Sequence, residues 1–105
     1  MKKVSRMKNK YLENYYAKKP WMKTYLHIVG RCIYNKEGEY FKKGIKNFLN
    51  TQDLKYLWFR DKAYSLKQPS IDRIDADGDY TLENCQYIEY SINVGKRRSN
   101  KKNDT

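Results

Sequence analysis

Residues 69–93, PSIDRIDADGDYTLENCQYIEYSIN, decide the fold. Pro69 pushes the residue before it out of helical backbone, so the chain opens into an extended run, SIDRI. DADGDYT is a polar loop around Gly78, and ENCQYIEY carries the apolar and polar mixture of a second strand. Residues 70–74 and 85–88 are therefore expected to pair as an antiparallel hairpin, with SINVGKRRSN following as a short helix that frays into a basic tail. The acidic loop does not fit an EF-hand, which takes oxygen ligands at its first, third and fifth positions, Gly at the sixth and Glu at the twelfth. With Gly78 sixth, Arg73 falls first and Asn84 twelfth; with Glu83 twelfth, Ile74 and Ala76 fall at ligand positions.

Upstream of the hairpin the periodicity changes from strand to helix. After Pro20, a residue suited to a first helical turn, WMKTYLHIVGRCIY sets Trp21, Tyr25, Ile28 and Cys32 at three- and four-residue spacing, an amphipathic helix. Residues 35–38 are turn-like, and Tyr40, Phe41 and GIKNFL form an irregular segment. Thr51 with Asp53 is expected to cap a helix DLKYLWFRDKAY, with Leu54, Leu57, Trp58 and Ala63 toward the core. Residues 11–16 are dense in aromatics and suit a short helix, while residues 1–10 read as a flexible basic arm and residues 98–105 as a disordered basic tail. A chain of 105 residues can bury one core. The expectation is a single α+β domain over residues 11–97, with N-terminal helices packed on a strand–strand–helix module at about residues 70–97.

The net charge of +11 calls for a polyanionic partner, because so large an excess in a short chain otherwise costs self-repulsion. Between Ser70 and Gly95 the balance inverts: Asp72, Asp75, Asp77, Asp79, Glu83 and Glu89 face a single basic residue, Arg73, while the rest of the chain holds 22 basic and six acidic residues. A protein that approaches phosphates gains from concentrating carboxylates only where a cation sits among them. Cys32 and Cys85 stand far apart, with no CxxC and no His at ligand spacing; they read as ordinary reduced thiols, and zinc is not expected. No stretch approaches the roughly 20 continuous apolar residues of a membrane span, and the basic start has no apolar segment behind it, so a cytoplasmic protein without a membrane partner is expected.

The segment resembles the HNH, or ββα-metal, nuclease motif, in its phage-encoded, homing-endonuclease-like forms. There a strand ends in Asp-His, a loop leads to an Asn that ties the second strand, and the following helix supplies a metal-ligating His or Asn. Asp72 matches the strand-end ligand, Asn84 the middle Asn and Asn93 the helical ligand, while Arg73 stands where the His is usual. A weaker likeness reaches upstream through WMKTYLHIVGRC and YFKKGIKN, so that it spans residues 21–96. The resemblance implies a DNA endonuclease that uses Mg²⁺ or Mn²⁺ and leaves a 5′-phosphate and a 3′-hydroxyl. Mg²⁺ keeps most of its waters and is often held by one or two protein oxygens, so Asp72 and Asn93 suffice as metal ligands.

Arg73 stays protonated and cannot act as a base, but it can clamp a phosphate. Some relatives of this motif also read Asp-Arg with a Tyr in the loop, a resemblance that makes Tyr80 the first candidate to activate or position water and His27 the second. Packing beneath the loop is the competing role for Tyr80, and a helix-surface or core imidazole that for His27. Asn84 suits the fixing of loop backbone; Asp75 is the loop carboxylate nearest the site, although turn chemistry alone accounts for Asp75, Asp77 and Asp79. Lys2, Lys3 and Arg6 on one arm and Lys96, Arg97 and Arg98 on the other are expected to neutralise phosphates beside the cut, or simply to solubilise the termini. Two rivals remain: an inactive DNA-binding protein on the same scaffold, and a basic RNA-binding protein. Monomer and homodimer are both compatible with the sequence.

Overall fold

In a computed structural model the backbone of residues 2–103 and the side chains of residues 10–96 are described. Among them are five α-helices and one two-stranded antiparallel sheet, a small α+β fold: α1 (Lys2–Lys18), α2 (Trp21–Val29), α3 (Glu39–Lys42), α4 (Thr51–Arg60), β1 (Pro69–Arg73), β2 (Cys85–Glu89) and α5 (Tyr90–Asn103). No helix among the described residues is long and apolar enough to cross a membrane. The backbone is helical from Lys2 and as far as Asn103, where composition alone suggested a loose arm and a disordered tail. Lys, Arg and Met lose little rotamer freedom in a helix, so a polar, charged run is no bar to helical backbone.

α2 runs without a break into a π-helical turn, Gly30–Tyr34, closed by the Asn35 N–H on the Gly30 carbonyl at 2.8 Å. Trp21, Ile28 and Cys32 are buried, the face the spacing marks out. α4 begins one residue earlier than Thr51 capping would require. Asn50 is extended and forms the capping box: its Oδ1 accepts the Asp53 N–H at 2.8 Å, and its own N–H donates to Asp53 Oδ2 at 3.0 Å. The reason is geometric, since the reciprocal pair needs the carboxylate three residues beyond the cap, and Asp53 stands at that distance from Asn50. Leu54 and Leu57 are buried, and Ala63 is buried in a following 3-10 turn, Ala63–Ser65.

α2 and α4 pack through Trp21 and Trp58, whose ring centres lie 6.2 Å apart, and Trp58 meets Tyr87 of β2 edge-on at 5.3 Å. Ile45, Leu49, Tyr80 and Cys85 complete one continuous core. The irregular segment before α4 joins the sheet region through a parallel bridge: the Tyr80 N–H donates to the Lys46 carbonyl and the Phe48 N–H to the Tyr80 carbonyl, both at 2.9 Å. Gly44, just after α3, has a φ of 75°, a left-handed conformation that only glycine adopts without strain.

The hairpin register pairs Ile71 with Tyr87, Asp72 with Gln86 and Arg73 with Cys85. Because side chains alternate across a strand, Ile71, Tyr87 and Cys85 go to the core while Asp72, Gln86, Ser70 and Ile88 share the opposite face, the one α5 covers. The outer edge of β2 is closed by Asp61 at the end of α4, whose Oδ2 accepts the Tyr87 N–H at 2.8 Å. Asp61→Ala is expected to leave that buried N–H without a partner and to lower unfolding stability by about 1–3 kcal/mol, read as a drop in the midpoint of urea denaturation without a change in its slope.

Candidate active site

Asp72 is the one buried charged side chain among the described residues, 6% exposed near the end of β1. A carboxylate taken out of water must be paired, and this one is: Lys96 Nζ of α5 lies 2.7 Å from Oδ2 and Gln86 Nε2 donates to the same oxygen at 2.8 Å. Both contacts fall on Oδ2, so Oδ1 accepts no hydrogen bond among the described residues. Three residues before Lys96, on the same face of α5, the Asn93 amide nitrogen donates to Ser70 Oγ at 2.8 Å and to the Ile71 carbonyl at 3.1 Å. These two bonds orient the amide and leave its oxygen as the uncommitted end. Asp72 and Asn93 line one cleft of about 470 Å³, together with Arg73, Tyr80 and Lys96. A carboxylate oxygen and an amide oxygen in a water-accessible cleft are the hard oxygen donors that Mg²⁺ or Mn²⁺ accepts, so the donor set fits such an ion.

Arg73 stacks over the rings of Tyr40 and Tyr80, 4.9 and 5.3 Å from their centres. Its Nη1 donates to the carbonyls of Ala76 and Gly78, the latter at 2.9 Å. The guanidinium thus braces the loop it precedes, while Nε and Nη2 make no hydrogen bond among the described residues. The loop is tied from the other side by Asn84, in the fixing role the sequence suggested. Asn84 Oδ1 accepts the Asp75 N–H at 2.8 Å, and its Nδ2 donates to the carbonyls of Asp75 at 3.1 Å and Asp79 at 2.9 Å. Gly78 has to be small here, since a Cβ would lie 2.8 Å from Asn84 Nδ2. Asp75 spends its carboxylate on the Asp77 N–H at 3.0 Å, the turn chemistry of a short acidic loop. Asn84→Ala is expected to cost about 1–3 kcal/mol and to raise amide hydrogen exchange selectively across residues 74–79.

The two candidate bases fare differently from the expectation. Tyr80 lines the cleft, but its ring is 2% exposed, stacked on Tyr40 at 6.3 Å, and its hydroxyl accepts a long 3.4 Å bond from Arg31. Burial raises the pKa of the phenol above its ordinary value and outweighs the hydrogen bond and positive charge of Arg31 and the charge of Arg73, which pull the other way. Packing beneath the loop, the competing role for this residue, is what the ring does. His27 is exposed and opens onto a separate groove with Leu26, Tyr34 and Asn35. With Trp21 and Ile28 directed into the core, position 27 is turned about 100° away, so α2 does not carry it to the cleft. Cys85, next to the loop, is buried and its thiol is pushed up to about 11, the behaviour of an inert structural cysteine. The side chains of Lys2, Lys3, Arg6, Arg97 and Arg98 lie outside the described residues.

Gln86 and the pairing role of Lys96 escaped sequence reasoning. Gln86 becomes visible once the hairpin register sets it opposite Asp72, and Lys96 once its three-residue spacing from Asn93 is read as one helix face. Nothing in the sequence points to Tyr40 as a ring under Arg73, or to Arg31 as a second cation on that ring. Comparison of the chain with protein-family models, curated proteins and solved structures gives no match.

Proposed function

We propose that this chain is a metal-dependent DNA endonuclease of the HNH type, with β1, β2 and α5 as its ββα-metal unit. The observation that carries the reading is the convergence of a buried carboxylate, Asp72, and an oriented amide, Asn93, from a strand and a helix onto one cleft. The cleft belongs to an otherwise strongly basic protein of net charge +11, which favours a polyanionic substrate. Asp72 Oδ1 and Asn93 Oδ1 are the atoms that would hold the ion. Bound Mg²⁺ or Mn²⁺ would polarise the phosphodiester, ease ionisation of water and stabilise the leaving oxygen. The free Nε and Nη2 donors of Arg73 suit hydrogen bonding to a non-bridging phosphate oxygen.

A second reading, DNA binding without cutting, is favoured by one observation: the Lys96 ammonium already compensates Asp72, so charge balance alone does not demand a metal. Supercoiled plasmid incubated with the purified protein separates the two. The endonuclease reading expects nicking in Mg²⁺ or Mn²⁺ that chelator abolishes and that Asn93→Ala reduces. Retardation of the plasmid with no nicking in either metal would leave the binder and remove the enzyme.

A further inference from the structure

We infer that Lys96 is a built-in counter-cation of Asp72, competing with a divalent metal ion for this carboxylate and holding its affinity down in the free protein. The inference rests on the metal-dependent nuclease reading and deepens it.

Lys96 Nζ lies 2.7 Å from Asp72 Oδ2, closer than Gln86 Nε2 at 2.8 Å on the same oxygen. The two donors differ in charge. The neutral amide can stay beside a metal-bound carboxylate, whereas an ammonium and a divalent cation drawn to one carboxylate repel each other. The exposures say which partner yields: the Asp72 side chain is 6% exposed and fixed in a strand, while that of Lys96, on α5, is 41% exposed. A lysine head on four flexible carbons can withdraw into water, and an arriving divalent cation keeps the buried carboxylate paired when it does. In the absence of metal, the ammonium keeps the buried carboxylate paired, so the site stands intact before any ion arrives.

The test measures binding of Mn²⁺ itself, through the loss of the electron paramagnetic resonance signal of the free ion, to the full chain and three variants. Lys96→Met is expected to bind Mn²⁺ up to about fivefold more tightly than the wild type, the size of effect an ion pair with one exposed partner can exert. Lys96→Arg, which keeps the charge, stays near the wild type, and Asp72→Asn removes the binding. Circular dichroism melting checks that each variant is folded. Equal or weaker Mn²⁺ binding by Lys96→Met, with binding still abolished in Asp72→Asn, overturns the inference and leaves the nuclease reading standing. Absence of Mn²⁺ binding to both the wild type and Lys96→Met overturns the inference and the metal site together.

Discussion

Asp72→Asn is expected to fold as the wild type does and, on the proposed endonuclease reading, to lose metal-dependent DNA cutting by about a hundredfold or more. The substitution is isosteric, and the amide oxygen still accepts from Gln86 across the hairpin. Lys96 loses its ion-pair partner but not its solvent, because its side chain is 41% exposed, so no buried charge is stranded. On the proposed endonuclease reading, what disappears is the negative charge that a hard cation requires, and with it the charge stabilisation of the cleavage transition state. Removal of a single preorganised electrostatic partner typically costs about 10²–10³ in rate. The net charge of +11 rises by one unit, so retention of duplex DNA should be unchanged or tighter at low salt. Cutting that falls while retention holds separates the metal ligand from a DNA contact. Cutting within a few-fold of the wild type would remove Asp72 from the site.

Tyr80→Ala should be the most damaging substitution in the loop. The ring is 2% exposed, stacks on Tyr40, lies under Arg73 and takes a hydrogen bond from Arg31, so its removal opens a cavity where β1, the loop and the π-helical turn meet. Truncation of a buried aromatic costs about 3–5 kcal/mol, a large share of the roughly 5–15 kcal/mol that holds a small domain together. Chemical denaturation should show a midpoint far below that of the wild type, with loss of cooperativity at the warm end of a thermal scan. Tyr80→Phe removes only the 3.4 Å bond from Arg31 and should cost no more than about 1 kcal/mol. Plasmid cutting by Tyr80→Phe should stay within a few-fold of the wild type, since burial holds the phenol protonated. A loss of cutting in a folded Tyr80→Phe would restore the hydroxyl to a chemical role.

The clearest signals in the sequence were local ones. Pro69, the Gly78 loop and the alternation in ENCQYIEY marked a hairpin that the structure builds as Pro69–Arg73 against Cys85–Glu89, one residue from the expected bounds. The spacing of Trp21, Ile28 and Cys32 marked the buried face of α2, and that of Leu54 and Leu57 the buried face of α4. Asn84 was legible as a loop fastener because a short amide following a turn has backbone groups within reach. The cap of α4 was misplaced by one residue, since Asn50 and Thr51 both have side chains able to cap and only the backbone conformation chooses between them.

Tertiary structure decided which of the chemically capable residues meet. Asp72, Asn93 and Lys96 converge because α5 folds back over one face of the sheet, and His27 is left out because α2 turns its other face inward. Tyr80 passes from candidate base to packed ring because its exposure is set by Tyr40, Arg31 and Arg73, residues 7 to 49 positions away in the chain. Periodicity and turn chemistry act between neighbours and can be read from one sequence. Burial, pairing of charges and the pKa values that follow depend on groups brought together only by the packed fold.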